Sequence, residues 1–114
     1  MRVTNAPASR ERRRRLAKAK GFYGARSKLF RTATEAVDRA MRLSTIHRKL
    51  KKRDFRQLWI ARVNAAARAE GISYSKFIAG LAKAGVALNR KMLSEIAIHD
   101  PEGFKTIVEI AKNA

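Results

Sequence analysis

The sequence contains no cysteine, only two prolines and only nine acidic residues among 114. Without cysteine the chain has no disulfide, no thiolate zinc ligand and no thiol nucleophile, and its composition fits a reducing compartment. No apolar run approaches the roughly 20 residues that span a bilayer, and no signal-peptide apolar segment follows the N-terminus. The length allows one modest core. We therefore expect a soluble protein that does not use a membrane as its partner.

Positive charge dominates what is present, with 27 lysines and arginines and a net charge of +18. Residues 1–54 hold 18 bases and four acids, whereas residues 55–114 hold nine bases and five acids. The first segment has too few large apolar residues to offset chain entropy and charge repulsion by forming its own core. The division predicts a basic arm over 1–54 and a globular domain over 55–114, with a polyanionic partner for the arm.

Helix signals recur along the whole chain, and strand signals do not. Ser9 is a candidate N-cap for a first helix over about 9–20. No glycine or proline occurs from Ala25 to Glu70, and Gly71 then supplies a stop, so one long helix over about 25–70 is expected to join the two domains. The predicted fold class is all-α, with a long basic helical N-terminal arm and a small C-terminal helical bundle.

The bundle is predicted from short helices over 74–84 and 90–98 and a last helix beginning near Asp100. Asn89 and Asp100 are N-cap types, and Pro101 suits a first helical turn. The spacing places these apolar residues on the inner faces: Phe77, Ile78, Leu81, Met92, Leu93, Ile96, Phe104, Ile107, Val108 and Ala111.

The long segment carries two further patterns at helical spacing. A narrow apolar stripe predicts a close neighbour rather than a core; its members are Leu29, Ala33, Ala36, Ala40, Leu43, His47 and Leu50. Acids alternate with bases in the rows Arg31, Glu35, Arg39 and Asp38, Arg42, which predicts ion pairs that support the helix.

Catalytic and metal-binding constellations are absent from the sequence. The two histidines, His47 and His99, have no second metal-type ligand at helical spacing, and there is no nucleophile elbow, phosphate loop or dinucleotide fingerprint. We expect no enzymatic activity, no cofactor, no metal and no small-molecule substrate. A nuclease that uses His47 is the alternative in the enzyme class.

Basic and aromatic residues occur together in the arm. The bases of the first helix precede the segment GFYG, in which Phe22 and Tyr23 stand between two glycines. These rings either stack on unpaired bases or pin the first helix against the second. Between Arg48 and Arg53 the bases point around nearly the full circumference of a helix, an arrangement that predicts a surrounding polyanion.

RNA is favoured over the other anionic partners. Duplex DNA readers present a recognition helix from a compact fold, whereas an arm that cannot fold alone suits the irregular interior of a structured RNA. The helices at 74–84 and 90–98 are spaced loosely like a helix-turn-helix, which keeps a regulatory nucleic-acid-binding protein or a DNA-binding helical domain as the rival interpretation. The arm lacks the broad apolar face that an interfacial membrane helix needs.

Three segments carry a resemblance to a known family: AKGFYGARSKLFRTA, KLKKRDFRQLWIARVNAAAR and GISYSKFIAGLAKAG. In order and spacing they resemble the bacterial-type large-subunit ribosomal protein twenty family, from about Leu16 to Ala114. The resemblance implies direct binding to large-subunit ribosomal RNA, an early role in subunit assembly, and neighbouring large-subunit ribosomal proteins as partners. In some relatives the C-terminal domain also binds its own messenger RNA and represses translation. A cytoplasmic ribosome is expected rather than an organellar one, because the matching region begins too near Met1 to leave room for a transit peptide.

By position, the resemblance assigns RNA contact to the bases and aromatics of the arm and divides a further group between RNA contact and domain packing. Trp59 is predicted to lie in the core. The candidate RNA-binding residues are Arg10, Arg12, Arg13, Arg14, Arg15, Lys18, Lys20, Phe22, Tyr23, Arg26, Lys28, Arg31, Arg48, Lys49, Lys51, Lys52, Arg53, Arg56, Arg62, Asn64, Arg68, Tyr74, Ser75 and Lys76.

Overall fold

The computed structural model describes residues 6–114, so the first five residues of the predicted arm lie outside the described residues. The described chain consists of helices and turns without a strand, which confirms the all-α prediction. No helix within it is both long enough and apolar enough to cross a membrane. The helices are α1 (Ala6–Lys18), α2 (Ala25–Lys28), α3 (Phe30–Ala69), α4 (Tyr74–Lys83), α5 (Arg90–His99) and α6 (Pro101–Asn113).

The first helix begins earlier than the sequence indicated. The prediction of Ser9 as its N-cap is wrong, because α1 starts at Ala6 and Ser9 lies inside it. Pro7 is compatible with this start, since proline lacks the backbone N–H that a first turn leaves unpaired anyway. The helix ends at Lys18, and the following turn contains Gly21 at a positive φ of 90°.

The long helix predicted over 25–70 is interrupted near its start. Leu29 has an extended backbone, with φ −88° and ψ 123°, and it separates the single turn of α2 from the 40 residues of α3. Its carbonyl accepts a hydrogen bond from the N–H of Ala33 at 2.8 Å, as the residue before a helix does. No glycine or proline marks this break, so the composition of the segment gave no sign of it.

The chain divides into two compact units, Met1–Lys49 and Leu50–Ala114. In the first unit Ala19, Ala33 and Val37 are buried, and Leu16 and Phe22 pack against them. The close neighbour of the predicted apolar stripe is therefore the segment around Ala19. The stripe itself is only partly used, because Leu29, Leu43 and Leu50 are exposed whereas Val37, outside the stripe, is buried.

The second unit has a larger core, drawn from the end of α3 and from α4, α5 and α6. The rings of Phe77 and Phe104 lie with their centroids 5.5 Å apart. Gly80 permits close approach of α4 and α6, because a Cβ built there would lie 2.1 Å from the carbonyl oxygen of Ala111. The buried core residues are Val63, Ala67, Ile72, Phe77, Leu81, Leu93, Phe104, Val108 and Ala111.

The predicted caps of the bundle are confirmed. The Asn89 side chain accepts a hydrogen bond from the N–H of Met92, and the Asp100 carboxylate accepts one from the N–H of Gly103, each at 2.9 Å. The inward assignment of Met92 is wrong, since its side chain is exposed. The buried side chain of that turn is Leu93, about 100° further around the helix.

Candidate nucleic-acid interface

The described part of the arm presents its bases to solvent. Every lysine and arginine from Arg10 to Arg53 is exposed. Within residues 6–114 one of these bases forms an ion pair with an acid, Arg15 with Glu11 at 3.1 Å. The guanidinium of Arg12 lies 5.3 Å from the ring centroid of Phe30, a cation–π contact that was not predicted from the sequence. The remaining bases are available to an external anion.

The GFYG turn gives its two aromatic rings different environments. Phe22 is half-buried and packs against the small core formed by Ala19, Ala33 and Val37, so its ring anchors the turn to that core. Tyr23 is 96% exposed. Gly21 and Gly24 have φ of 90° and 61°, values that residues with a Cβ rarely adopt, so the turn depends on both glycines. Stacking of Tyr23 on a base stays a prediction.

The acids of α3 do not form the ion pairs predicted for them. Among the described residues, neither Glu35 nor Asp38 lies within ion-pair distance of a base. Both acids are exposed, and a solvated pair of this kind is worth only a few tenths of a kcal/mol, too little to fix two long side chains. Arg31 and Arg39 therefore have no acidic partner among residues 6–114.

An open groove of about 960 Å³ lies in the first unit beside the GFYG turn. Three of its residues were predicted as RNA contacts from the sequence: Phe22, Tyr23 and Arg26. The others were not predicted, because the pattern of residues 31–43 indicated an apolar stripe and alternating acids and bases along a single helix. The groove is lined by Phe22, Tyr23, Arg26, Thr32, Glu35, Ala36, Arg39, Ala40 and Leu43.

The basic cluster from Arg48 to Arg53 is exposed throughout. The Arg48 guanidinium donates to the hydroxyls of Ser44 and Thr45, which hold it along the helix. Lys51 lies 6.0 Å from the ring centroid of Phe55. Five bases within six residues, at 100° per residue, cover most of the circumference of the helix. The side chains of the other bases in the cluster form no ion pair or hydrogen bond within residues 6–114.

In the second unit, four of the candidate RNA-binding residues are exposed: Arg56, Arg62, Ser75 and Lys76. The prediction that Trp59 lies in the core is wrong, because its ring is half-buried outside the core cluster and its aromatic contact is the exposed Phe55, at 6.1 Å between centroids.

Three of the remaining candidates are engaged with other side chains. Arg68 donates from Nε to Oδ1 of Asn64 at 3.2 Å, one turn apart on α3. Tyr74 accepts a hydrogen bond at its hydroxyl from Nε of Arg90 at 3.0 Å, which ties the first residues of α4 and α5. Arg90 was not predicted as a site residue from the sequence, because its partner lies 16 residues away and no local pattern joins the two.

The described residues contain no group of three His, Cys, Asp or Glu side chains arranged to hold a metal ion. His99 lies 3.4 Å from Glu95 on the exposed surface of α5, and His47 is exposed on α3. The chemistry that the described surface offers is thus charge, hydrogen bonding and aromatic stacking, which together suit a nucleic acid.

Comparison with known proteins agrees with the interpretation of this surface as one that suits a nucleic acid. A family model described as "Ribosomal protein L20" matches residues 2–107. The chain belongs to the ribosomal protein L20 family. It is 59% identical over 112 residues to the "Large ribosomal subunit protein bL20" of Thermoanaerobacter sp., covering 97% of this chain and 94% of that protein. A protein of the same name from Clostridium botulinum is 57% identical over 112 residues, with the same coverage. The resemblance found in the sequence is thereby confirmed.

Proposed function

We propose that this protein is a structural constituent of the large ribosomal subunit, which binds large-subunit ribosomal RNA directly and supports early assembly of the subunit. Membership of the L20 family supports this role, as do relatives named large ribosomal subunit proteins. The proposed location is the cytoplasm, within ribosomes of bacterial type. The role consists of binding and requires no chemical step.

The observation that carries the proposal is the exposed row of bases from Arg10 to Arg53 with one acidic partner among the described residues. Each base that replaces a condensed counterion on RNA releases that ion, which makes binding favourable and dependent on salt. Bases that surround a helix, as they do from Arg48 to Arg53, serve best where phosphates approach from several sides. Ribosomal RNA folded around the arm supplies such phosphates.

Neighbouring large-subunit proteins are proposed as further partners. The second unit exposes several large apolar side chains that its own core does not cover, including Leu88, Met92, Ile98 and Ile110. Single exposed apolar residues are common on soluble proteins, so these four support a protein contact only together with the ribosomal assignment.

The test is co-sedimentation of the tagged full-length chain with ribosomal particles from bacterial cells. We expect the protein in large-subunit and 70S fractions and its release by high salt. Recovery only in the free-protein fractions would contradict the proposal. Competition distinguishes the rival interpretations: large-subunit RNA should displace the protein from a labelled ribosomal RNA fragment far better than duplex DNA or the leader of its own messenger RNA.

A further inference from the structure

The groove beside the GFYG turn, called here the Glu35 groove, combines three kinds of surface. Its apolar part includes the half-buried Phe22 and the small side chains of Ala36 and Ala40. Tyr23 stands almost fully exposed among the lining residues. Polar and charged groups complete it, namely those of Thr32, Arg26, Arg39 and Glu35. All of these residues belong to the first unit.

The Glu35 carboxylate is unusual in this position. It is one of the few exposed acids on a predominantly basic arm and it lines the groove, and within the described residues no ion pair or side-chain hydrogen bond occupies its carboxylate. A free carboxylate repels phosphate, so if RNA occupies the groove we expect Glu35 to meet a hydrogen-bond donor of the RNA rather than a phosphate. The donors that RNA offers to a carboxylate are the N–H groups on base edges and the ribose hydroxyls.

The base edges differ in how well they fit a carboxylate. Guanine presents two adjacent donors, N1–H and N2–H, which match the two carboxylate oxygens. Adenine and cytosine present an amino group next to a ring nitrogen that is an acceptor, and uracil presents one N–H between two carbonyls. A carboxylate therefore prefers the Watson–Crick edge of guanine, which is accessible only when that guanine is unpaired.

The other lining residues suit the rest of the same nucleotide. Tyr23 offers an exposed ring for stacking, and Ala36 and Ala40 offer flat apolar contact. Arg26 and Arg39, neither of which has an acidic partner among the described residues, can neutralise the flanking phosphates. We infer that the Glu35 groove binds one unpaired guanine of the ribosomal RNA, with the Glu35 carboxylate accepting hydrogen bonds from N1–H and N2–H.

This inference rests on the proposed function, and chemical probing of the assembled complex tests it. Large-subunit RNA is bound by the full-length protein and treated with kethoxal, which modifies N1 and N2 of unpaired guanines. We expect at least one guanine to be protected by the wild-type protein and to regain reactivity, about fivefold or more, with Glu35→Gln. Tyr23→Leu should expose the same guanine, whereas Tyr23→Phe should keep it protected.

Asp38→Asn is the matched control, because it removes the same charge from an exposed acid of α3 that does not line the groove. It should leave the protected guanine unchanged. Identical kethoxal patterns for wild type and Glu35→Gln, with the rest of the footprint intact, would overturn the inference while leaving the proposed function in place. The inference would also be overturned if Glu35→Gln changed the reactivity of an adenine or a cytosine toward dimethyl sulfate instead of the reactivity of a guanine toward kethoxal. Loss of every footprint with the wild-type protein would refute the proposed function itself.

Discussion

The Lys112 ammonium donates a hydrogen bond to the backbone carbonyl of Glu70, with 2.7 Å between Nζ and O. Glu70 directly follows the last residue of α3, and Lys112 lies in the last turn of α6. Carbonyls at the C-terminal end of a helix lack partners in that helix, and a cation is the donor that best complements them. This bond therefore ties together the C-terminal ends of the two helices.

Replacing Lys112 with Met keeps the aliphatic stem and removes the donor. We expect Lys112→Met to lower the free energy of unfolding of the second unit by about 0.5 to 1.5 kcal/mol, the usual net value of one hydrogen bond. Urea denaturation followed by circular dichroism measures it. Lys105→Met on the same helix is the control, since Lys105 is exposed and its side chain has no hydrogen bond or ion pair among residues 6–114. Equal losses for the two variants would show that the bond contributes nothing.

At Gly80, substitution by alanine is expected to change stability in the direction opposite to the one that helix propensity alone predicts. Glycine to alanine inside a helix ordinarily stabilises by about 1 kcal/mol. At Gly80 the new Cβ would lie 2.1 Å from the carbonyl oxygen of Ala111, so α4 and α6 must move apart. We expect Gly80→Ala to destabilise the second unit by about 2 kcal/mol, measured as a lower urea midpoint. Ala82→Gly at an exposed position calibrates the propensity effect alone, and an increase in stability for Gly80→Ala would contradict the observed packing.

Ser94 is a polar residue that is fully buried, and its Oγ has no hydrogen-bond partner among residues 6–114. A hydroxyl buried without a partner loses its bonds to water and regains none. We therefore expect Ser94→Ala to raise the free energy of unfolding by about 1 kcal/mol. Ser75→Ala, at an exposed position of α4, should change it by less than about 0.5 kcal/mol. Destabilisation by Ser94→Ala would indicate that the hydroxyl has a partner after all.

Local signals were the part of the fold that could be predicted from the sequence. Asn89 and Asp100 are caps because a short polar side chain reaches the N–H groups of the next turn, a relation contained within four residues. The break at Leu29 has no such signal, and the partial burial of Trp59 outside the core depends on which part of α3 the other helices of the second unit cover. Helix boundaries and side-chain burial that depend on tertiary packing were therefore not predicted.

The candidate interface likewise has one feature that could be predicted from the sequence and one that could not. The exposure of the arm bases follows from their number, since so many like charges cannot be buried together. The Glu35 groove could not be found from spacing, because it joins residues 22–26 to residues 32–43 of α3 across the break at Leu29. Glu35 lies four residues before Arg39, a spacing that predicts an ion pair within one helix. The spacing gives no indication that Glu35 lines a groove.

The arm is predicted to depend on RNA for its order. In the described part of the first unit the buried side chains are two alanines and a valine, a small set against the repulsion of the exposed bases around them. We expect a fragment of residues 1–54 to show little helix by circular dichroism at moderate salt and to gain helix when large-subunit RNA is added. A stable helix that melts cooperatively without RNA would contradict this prediction.

Salt dependence measures how many phosphates the arm neutralises. With on the order of ten phosphates bound, the logarithm of the RNA affinity should fall against the logarithm of salt concentration with a slope of roughly −7 to −9. Replacing both Lys51 and Lys52 with Gln should make that slope shallower by about 1.4 to 1.8, because two fewer counterions are released. The control replaces Lys83 and Lys105, exposed lysines of the second unit outside the candidate set, and should leave the slope near its original value. A wild-type slope near −2, measured by filter binding, would mean that the exposed bases do not act on phosphates as proposed.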